Sequence, residues 1–302
     1  MTGQQINEIL SIIESDRVRL NEPMNKHTTF RIGGNAECFV SIQSIDELRE
    51  LTSLCRRENI PFFLIGKGSN LLVSDKGIPG VVAYLGEELC SISVNENLIV
   101  AEAGATLAAV AATALKEGLT GFEFAAGIPG TVGGAIRMNA GAYGGDMSQV
   151  VKWVRVLEPD GNIRTIAAEE MNFSYRYSIL KDVDYIVLAA GIALNCGDEK
   201  SIRMSMMELA ERRKEKQPLE YPSAGSTFKR PEGYFAGKLI SEAGLSGARV
   251  GDAVVSEKHN GFIVNEGCAT AEDVKQLIET VRKKVYENSG VLLEPEIIFV
   301  GE

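Results

Sequence analysis

The chain is poor in the residues that most often build metal and hydrolytic centres. Of 302 residues only two are histidines, His27 and His259. Neither sits in a motif suited to a His-rich metal centre or to a Ser-His-Asp triad. The five cysteines (Cys38, Cys55, Cys90, Cys196 and Cys268) are far apart, odd in number and without a C-x-x-C pair. That argues against a disulfide framework or a zinc site and for a reducing compartment. No metal is expected.

Positive charge is also scarce. Lys and Arg number 31 against 41 Asp and Glu, a net charge of −10. So acidic a chain is a poor general binder of nucleic acid, whose affinity comes from neutralising phosphates. An anionic ligand would have to be held by local donors against the global field. No apolar run approaches the ~18 residues of a membrane span. The longest, ATLAAVAATALKEGL, ends in charge and reads as a buried helix. The N-terminal MTGQQINEILSIIESDRVRL has no basic n-region, apolar core or cleavage site, so it reads as an amphipathic helix and not as a signal. These absences predict a cytoplasmic protein without a membrane partner.

What is present is α/β texture followed by hairpins. The length suits two units or one composite unit, and 45% apolar with 24% charged residues is ordinary globular composition. AECFVSI reads as a strand, and Ser44 caps a helix with Leu48, Leu51, Leu54 and Cys55 on one face. PFFLIG and LLVS are strands around the loop GKGSN, and a helix is expected from Thr106 to about Glu117. VKWVRVLEPDGNIRTI alternates about a Pro-Asp-Gly turn. A long polar helix then ends at Pro218, and after it come a Gly-rich loop, a short helix, GFIVN, a helix from about Ala271 and the strand EPEIIFV.

The densest anomaly is GIPGTVGGAIRMNAGAYGG, Gly127 to Gly145, with seven glycines where about two would be expected from 31 in 302. Neither it nor GKGSN is a Walker A loop or a full dinucleotide fingerprint. Glycine permits positive φ and lets backbone N–H groups converge on one anion. Two such loops could clasp a pyrophosphate with few positive side chains, although glycines also simply turn a chain. Four polar residues stand out elsewhere. Arg176 lies between tyrosines in NFSYRYSIL, and its planar fork suits a carboxylate or phosphate. Ser226 follows Ala-Gly in PSAGSTFKRP, without a nucleophile elbow. Glu294 and Glu296 flank Pro295 at the start of an apolar strand, where a carboxylate needs a partner or a raised pKa. Taken singly, each is more often a surface ion pair, a turn or a strand end.

Taken in order, NKHTTFRIGG, GKGSNLLV, GIPGTVGGAIRMNAGAYGG, FSYRYS, PSAGSTFK and LEPEI resemble the UDP-N-acetylenolpyruvoylglucosamine reductase family from residue 25 to 297. The resemblance implies an α+β fold: a two-part FAD-binding module of the PCMH or vanillyl-alcohol-oxidase type over 1–200, with subdomains about 1–84 and 85–200. An α+β substrate domain would follow over 201–302, its last strand, 292–302, packing back on the first domain. It implies non-covalent FAD, since Ser69 stands where tethered relatives carry His, with NADPH as reductant. The flavin loops would be Gly66, Lys67, Gly68, Ser69, Asn70 and Leu71, and Gly127, Ile128, Pro129, Gly130, Thr131, Gly133, Gly134, Ala135, Asn139, Ala140 and Gly141, with Arg213 on the nucleotide side.

The same resemblance places Arg176, Ser226 and Glu296 on the catalytic positions. Hydride would pass from flavin N5 to C3 of the enolpyruvyl ether of UDP-N-acetylglucosamine enolpyruvate, and a proton from Ser226 to C2. Tyr175, Lys216, Lys229, Lys258 and His259 would face the substrate. Arg230 departs from the Asn that some members carry. The eight residues between Arg176 and Tyr185 leave no room for the extra tyrosine loop of longer members. A monomer is expected. A sugar-alcohol or hydroxy-acid oxidase using oxygen, and a flavin sensor without turnover, are the competing readings.

Overall fold

A computed structural model describes residues 1–301. In chain order the first half holds α1 (Gly3–Ile12), β1 (Val18–Pro23), β2 (Asn35–Ile42), α2 (Ile45–Arg57), β3 (Phe62–Ile65), β4 (Leu71–Val73), β5 (Ile78–Leu85), β6 (Ile92–Asn95), β7 (Leu98–Glu102), α3 (Leu107–Lys116), β8 (Leu119–Thr120) and α4 (Val132–Met138). The second holds β9 (Gly141–Ala142), β10 (Gly145–Asp146), β11 (Val151–Leu157), β12 (Ile163–Ala167), β13 (Ile186–Ala193), β14 (Asn195–Cys196), α5 (Glu199–Lys216), α6 (Ala236–Glu242), β15 (Arg249–Val250), β16 (Ala253–Val255), β17 (Ile263–Asn265), α7 (Ala271–Ser289) and β18 (Ile298–Val300). Among the described residues no helix is long and apolar enough to cross a membrane, and no group of His, Cys, Asp and Glu could hold a metal.

The residues divide into two compact units. The first comprises Met1–Arg19, Phe39–Gly66 and Gly80–Arg213; the second comprises Leu20–Cys38, Lys67–Pro79 and Lys214–Glu302. The boundary cuts through β1, β2 and β5, members of a sheet of order β1-β2-β5-β3 in which β3 and β5 are parallel. The second unit is therefore assembled from three stretches of chain.

In the first unit the main sheet has the order β12-β11-β13-β7-β6, with every pair antiparallel. β13 is central and buried along nearly its whole length, which explains its unbroken apolar run, IVLAAGIA. β11 and β12 close on each other through the expected turn, with Leu157 opposite Ile163. α2 follows the apolar periodicity: Leu48, Leu51, Leu54 and Cys55 are buried, and the Ser44 hydroxyl accepts from the Glu47 N–H. α4 packs on β13 at the end of the Gly-rich stretch.

In the second unit, α7 buries Val274, Leu277, Ile278, Val281 and Val285 at helical spacing, against a core with Phe30, Leu72, Ile240, Ile263 and Leu293. Its first turn is capped twice. Thr270 and Asp273 form a capping box, and the Asp75 carboxylate accepts from the N–H groups of Ala271 at 2.8 Å and Glu272 at 3.0 Å. β18 pairs in parallel with β4, Ile298 opposite Leu71. That pairing ties the end of the chain to the strand that follows GKGSN.

Candidate active site

The Gly-rich stretch in the first unit builds a close-packed floor. Leu107 N–H donates to Gly130 O, Val132 N–H to Ala105 O and Gly133 N–H to Ala103 O, so these amides serve the protein's own backbone. A Cβ on Gly133 would lie 3.1 Å from Ala103 Cβ, and its absence lets α4 sit against the end of β7. The glycines here work first by letting backbone approach backbone.

The first loop reaches this floor at Gly66. A Cβ there would stand 2.5 Å from Thr131 Oγ1, and Thr131 is buried without capping α4. Gly127 is covered in turn by Arg213 of α5, whose Nη1 would lie 3.2 Å from a Cβ at that position. Burial draws the Arg213 guanidinium below the usual arginine pKa, as expected for a cation held off water. Beside it, Arg212 stacks over the Tyr143 ring at 5.1 Å. Gly134 is exposed, and a Cβ there would meet only Thr131 Oγ1, at 3.7 Å. A buried hydroxyl, a half-buried guanidinium and an open glycine at a helix start fit the phosphates of a flavin nucleotide in an acidic protein. Gly66→Ala is expected to weaken FAD retention markedly at little loss of fold, checked by flavin content after gel filtration and by thermal unfolding.

The remainder of GKGSN belongs to the second unit. Gly68 has φ +60, and a Cβ would collide with the His27 carbonyl, so only glycine closes this turn. Lys67 is exposed and Ser69 half-buried. Asn70 faces the chain end: its Nδ2 donates to Glu296 O at 3.2 Å, and its carbonyl accepts from Ile298 N–H at 2.9 Å.

Arg176 sits at the tip of a tight turn in the first unit. Ser174 and Tyr177 exchange two backbone hydrogen bonds of 3.1 Å, and Arg176 between them has φ +56. A left-handed arginine costs about 1–2 kcal/mol, so the turn is held by its surroundings. Its guanidinium donates from Nη2 to Gly141 O at 3.3 Å and lies 5.1 Å from the Tyr175 ring, itself 54% exposed. Asn139, the left-handed cap of α4, is 3% exposed; its Nδ2 donates to Ser174 O and its Oδ1 accepts from Ser148 N–H.

The segments carrying Ser226 and Glu296 pair in the second unit. Phe228 bridges Pro295 in antiparallel register, flanked by Glu296 N–H donating to Thr227 O at 2.8 Å and Lys229 N–H to Glu294 O at 2.9 Å. Proline is tolerated there because this register position makes no ladder hydrogen bond. On the other side Thr227 N–H donates to Gly261 O, and its Oγ1 accepts from Ile263 N–H. The strand carrying Ser226 is thus held between the β17 region and the chain end. Gly225, with φ +77, has nothing within 4 Å of a Cβ position, so the approach beside Ser226 is open.

Charged neighbours surround these strands. Lys229 pairs with Glu294 at 2.9 Å and holds that carboxyl below its usual range, so Glu294 has the required partner. Lys258 lies 3.4 Å from Glu220, and Arg230 stacks over Phe235 at 4.1 Å. The His259 Nδ1 accepts from Gly261 N–H, and burial lowers its pKa, so the ring is neutral with its proton on Nε2. Lys216 ends α5, exposed. The contributions of Asn139, Tyr143 and Arg212 to this scaffolding were not foreseen. The only aromatic in the Gly-rich stretch, and the Arg pair of RRKEK, were the available signals for the last two.

Two family models cover most of the chain: an FAD binding domain over residues 36–167 and the UDP-N-acetylenolpyruvoylglucosamine reductase C-terminal domain over 217–300. A UDP-N-acetylenolpyruvoylglucosamine reductase of Caldanaerobacter subterraneus subsp. tengcongensis is 55% identical over 98% of both chains. The chain belongs to this reductase family. A second member, from Lachnoclostridium phytofermentans, is 51% identical over 100% of this chain and 99% of its own. The crystal structure of the Thermus caldophilus reductase matches with a TM-score of 0.80 at 36% identity, covering 94% and 98% of the two chains. The expected α+β fold with its FAD-binding module stands, and as a member of the reductase family the protein is an FAD-dependent oxidoreductase.

Proposed function

We propose that the protein reduces the enolpyruvyl group of UDP-N-acetylglucosamine enolpyruvate to give UDP-N-acetylmuramate for peptidoglycan, with NADPH as reductant, acting as a cytoplasmic monomer. The FAD module is assigned to 1–200 and the substrate domain to 201–302. FAD would be held beside Gly66, Thr131, Gly134 and Arg213 and would supply the hydride chemistry by which NADPH reduces C3 of the enolpyruvyl ether.

Charge then builds at C2 and on the adjoining carboxylate. Arg176 and Glu296 are assigned to stabilise it, Arg176 through its planar fork. Ser226 is assigned to deliver the proton to C2. A hydroxyl is a weak acid in water, but a C2 carbanion is far more basic, and positioning supplies what acidity lacks. Tyr175, Lys216, Lys229, Lys258 and His259 are assigned to the substrate, His259 as a neutral Nε2 donor.

The observation that carries this reading is the ladder joining Thr227 to Glu296. It sets a serine and a carboxylate on neighbouring strands beside an open glycine. The purified protein is expected to be yellow, to release FAD on denaturation and to oxidise NADPH only when the enolpyruvyl substrate is present. A colourless protein that fails to take up added FAD would overturn it.

A further inference from the structure

The Asn139 side-chain amide joins the Gly-rich stretch to the turn bearing Arg176. Its Nδ2 donates to Ser174 O at 2.9 Å, and its Oδ1 accepts from Ser148 N–H at 2.9 Å. The residue is 3% exposed and adopts φ 42, ψ 58 as the C-cap of α4, a conformation that asparagine tolerates and most residues do not. Both ends of the amide are engaged inside the protein.

The Ser174 carbonyl it grips is the root of the Arg176 turn, where it also accepts from Tyr177 N–H. Arg176 at φ +56 needs an external hold, because an arginine does not adopt that backbone unaided. A further tie to this stretch is Arg176 Nη2 on Gly141 O at 3.3 Å, a longer bond that engaging a substrate anion would compete with, and just past the turn Ser178 Oγ donates to Arg137 O at 2.9 Å.

We propose that Asn139 is a positioning residue: it fixes the Ser174–Tyr177 turn so that the Arg176 guanidinium meets the substrate's carboxylate. This rests on the role proposed above for Arg176. An asparagine is required because one end must donate to a carbonyl while the other accepts from an N–H. Aspartate keeps the size, the left-handed tolerance and the Ser148 bond. It cannot donate to Ser174, and it sets a carboxylate against that carbonyl.

The test is Asn139→Asp in the full-length holoenzyme, alone and combined with Arg176→Gly. With rates taken per bound FAD, anaerobic reoxidation by the enolpyruvyl substrate should fall by about 10-fold or more relative to reduction of FAD by NADPH, towards the loss from removing one stabilising donor. In the Arg176→Gly background the same change should cause no further loss, because the two act as one unit. Without any substrate, amide exchange at Ser174 and Tyr177 should quicken while the β11–β13 amides stay protected.

Should Asn139→Asp fail to fold, Asn139→Gly keeps the left-handed backbone and removes both bonds, and the same split is expected. Equal slowing of both half-reactions per bound FAD, or an undiminished effect in the Arg176→Gly background, would overturn the proposal. A wild-type enzyme that does not turn over this substrate would count against the function proposed above. The exchange measurement then decides whether Asn139 holds the turn.

Discussion

Ser226→Ala should leave reduction of FAD by NADPH near the wild-type rate and slow reoxidation by substrate by about 10²–10⁴-fold, the usual contribution of a positioned general acid. The two half-reactions separate because only the second moves a proton to carbon. The substitution removes one oxygen from a half-buried position. The strand itself is held by Thr227, through its backbone bonds to Gly261 and Glu296 and its hydroxyl bond to Ile263, none of which involves the Ser226 side chain. The fold and the place of Glu296 should therefore survive. Stopped-flow absorbance of the flavin, measured for each half-reaction separately, checks this. Equal slowing of both would remove Ser226 from the proton-donor role.

Arg176→Gly separates stability from activity more sharply than alanine would. Glycine at φ +56 relieves a backbone penalty of about 1–2 kcal/mol, which offsets the lost hydrogen bond to Gly141 O, worth about 1 kcal/mol. Stability should stay within about 1 kcal/mol of wild type, measured by urea unfolding of the two proteins. Reoxidation by substrate should nevertheless fall by about 10²–10³-fold, the loss expected when one donor to a developing anion is removed. Arg176→Lys should recover only part of the rate, since an ammonium has the charge without the fork. Full recovery by lysine would mean that charge alone matters there.

Much of this arrangement was legible because it follows local rules. α2 and α7 announce themselves by apolar spacing and capping residues, and β13 by an unbroken apolar run. The β11–β12 turn carries Pro-Asp-Gly. Ser226, Glu296 and Arg176 stood out by residue type, and their meaning came from motif order, since each alone has a commonplace reading.

What stayed hidden is non-local. Nothing near Pro295 shows that it faces Phe228. Likewise, a glycine-rich stretch does not reveal which of its amides are already taken. The N–H groups of Val132 and Gly133 turn out to serve Ala105 and Ala103. Thr131, Gly134 and Arg213 offer a hydroxyl, an open backbone and a cation drawn from outside the stretch. Asn139 was read with the flavin loop from its place in the motif, while its amide is committed to Ser174 and Ser148. Side-chain direction at a helix cap cannot be taken from sequence spacing.

The decisive measurement mixes NADPH-reduced enzyme with UDP-N-acetylglucosamine enolpyruvate in the strict absence of oxygen while following the flavin spectrum. The predicted result is full return of the oxidised spectrum with one UDP-N-acetylmuramate formed per flavin. A flavin that stays reduced until air is admitted would contradict it and identify an oxygen-using oxidase instead.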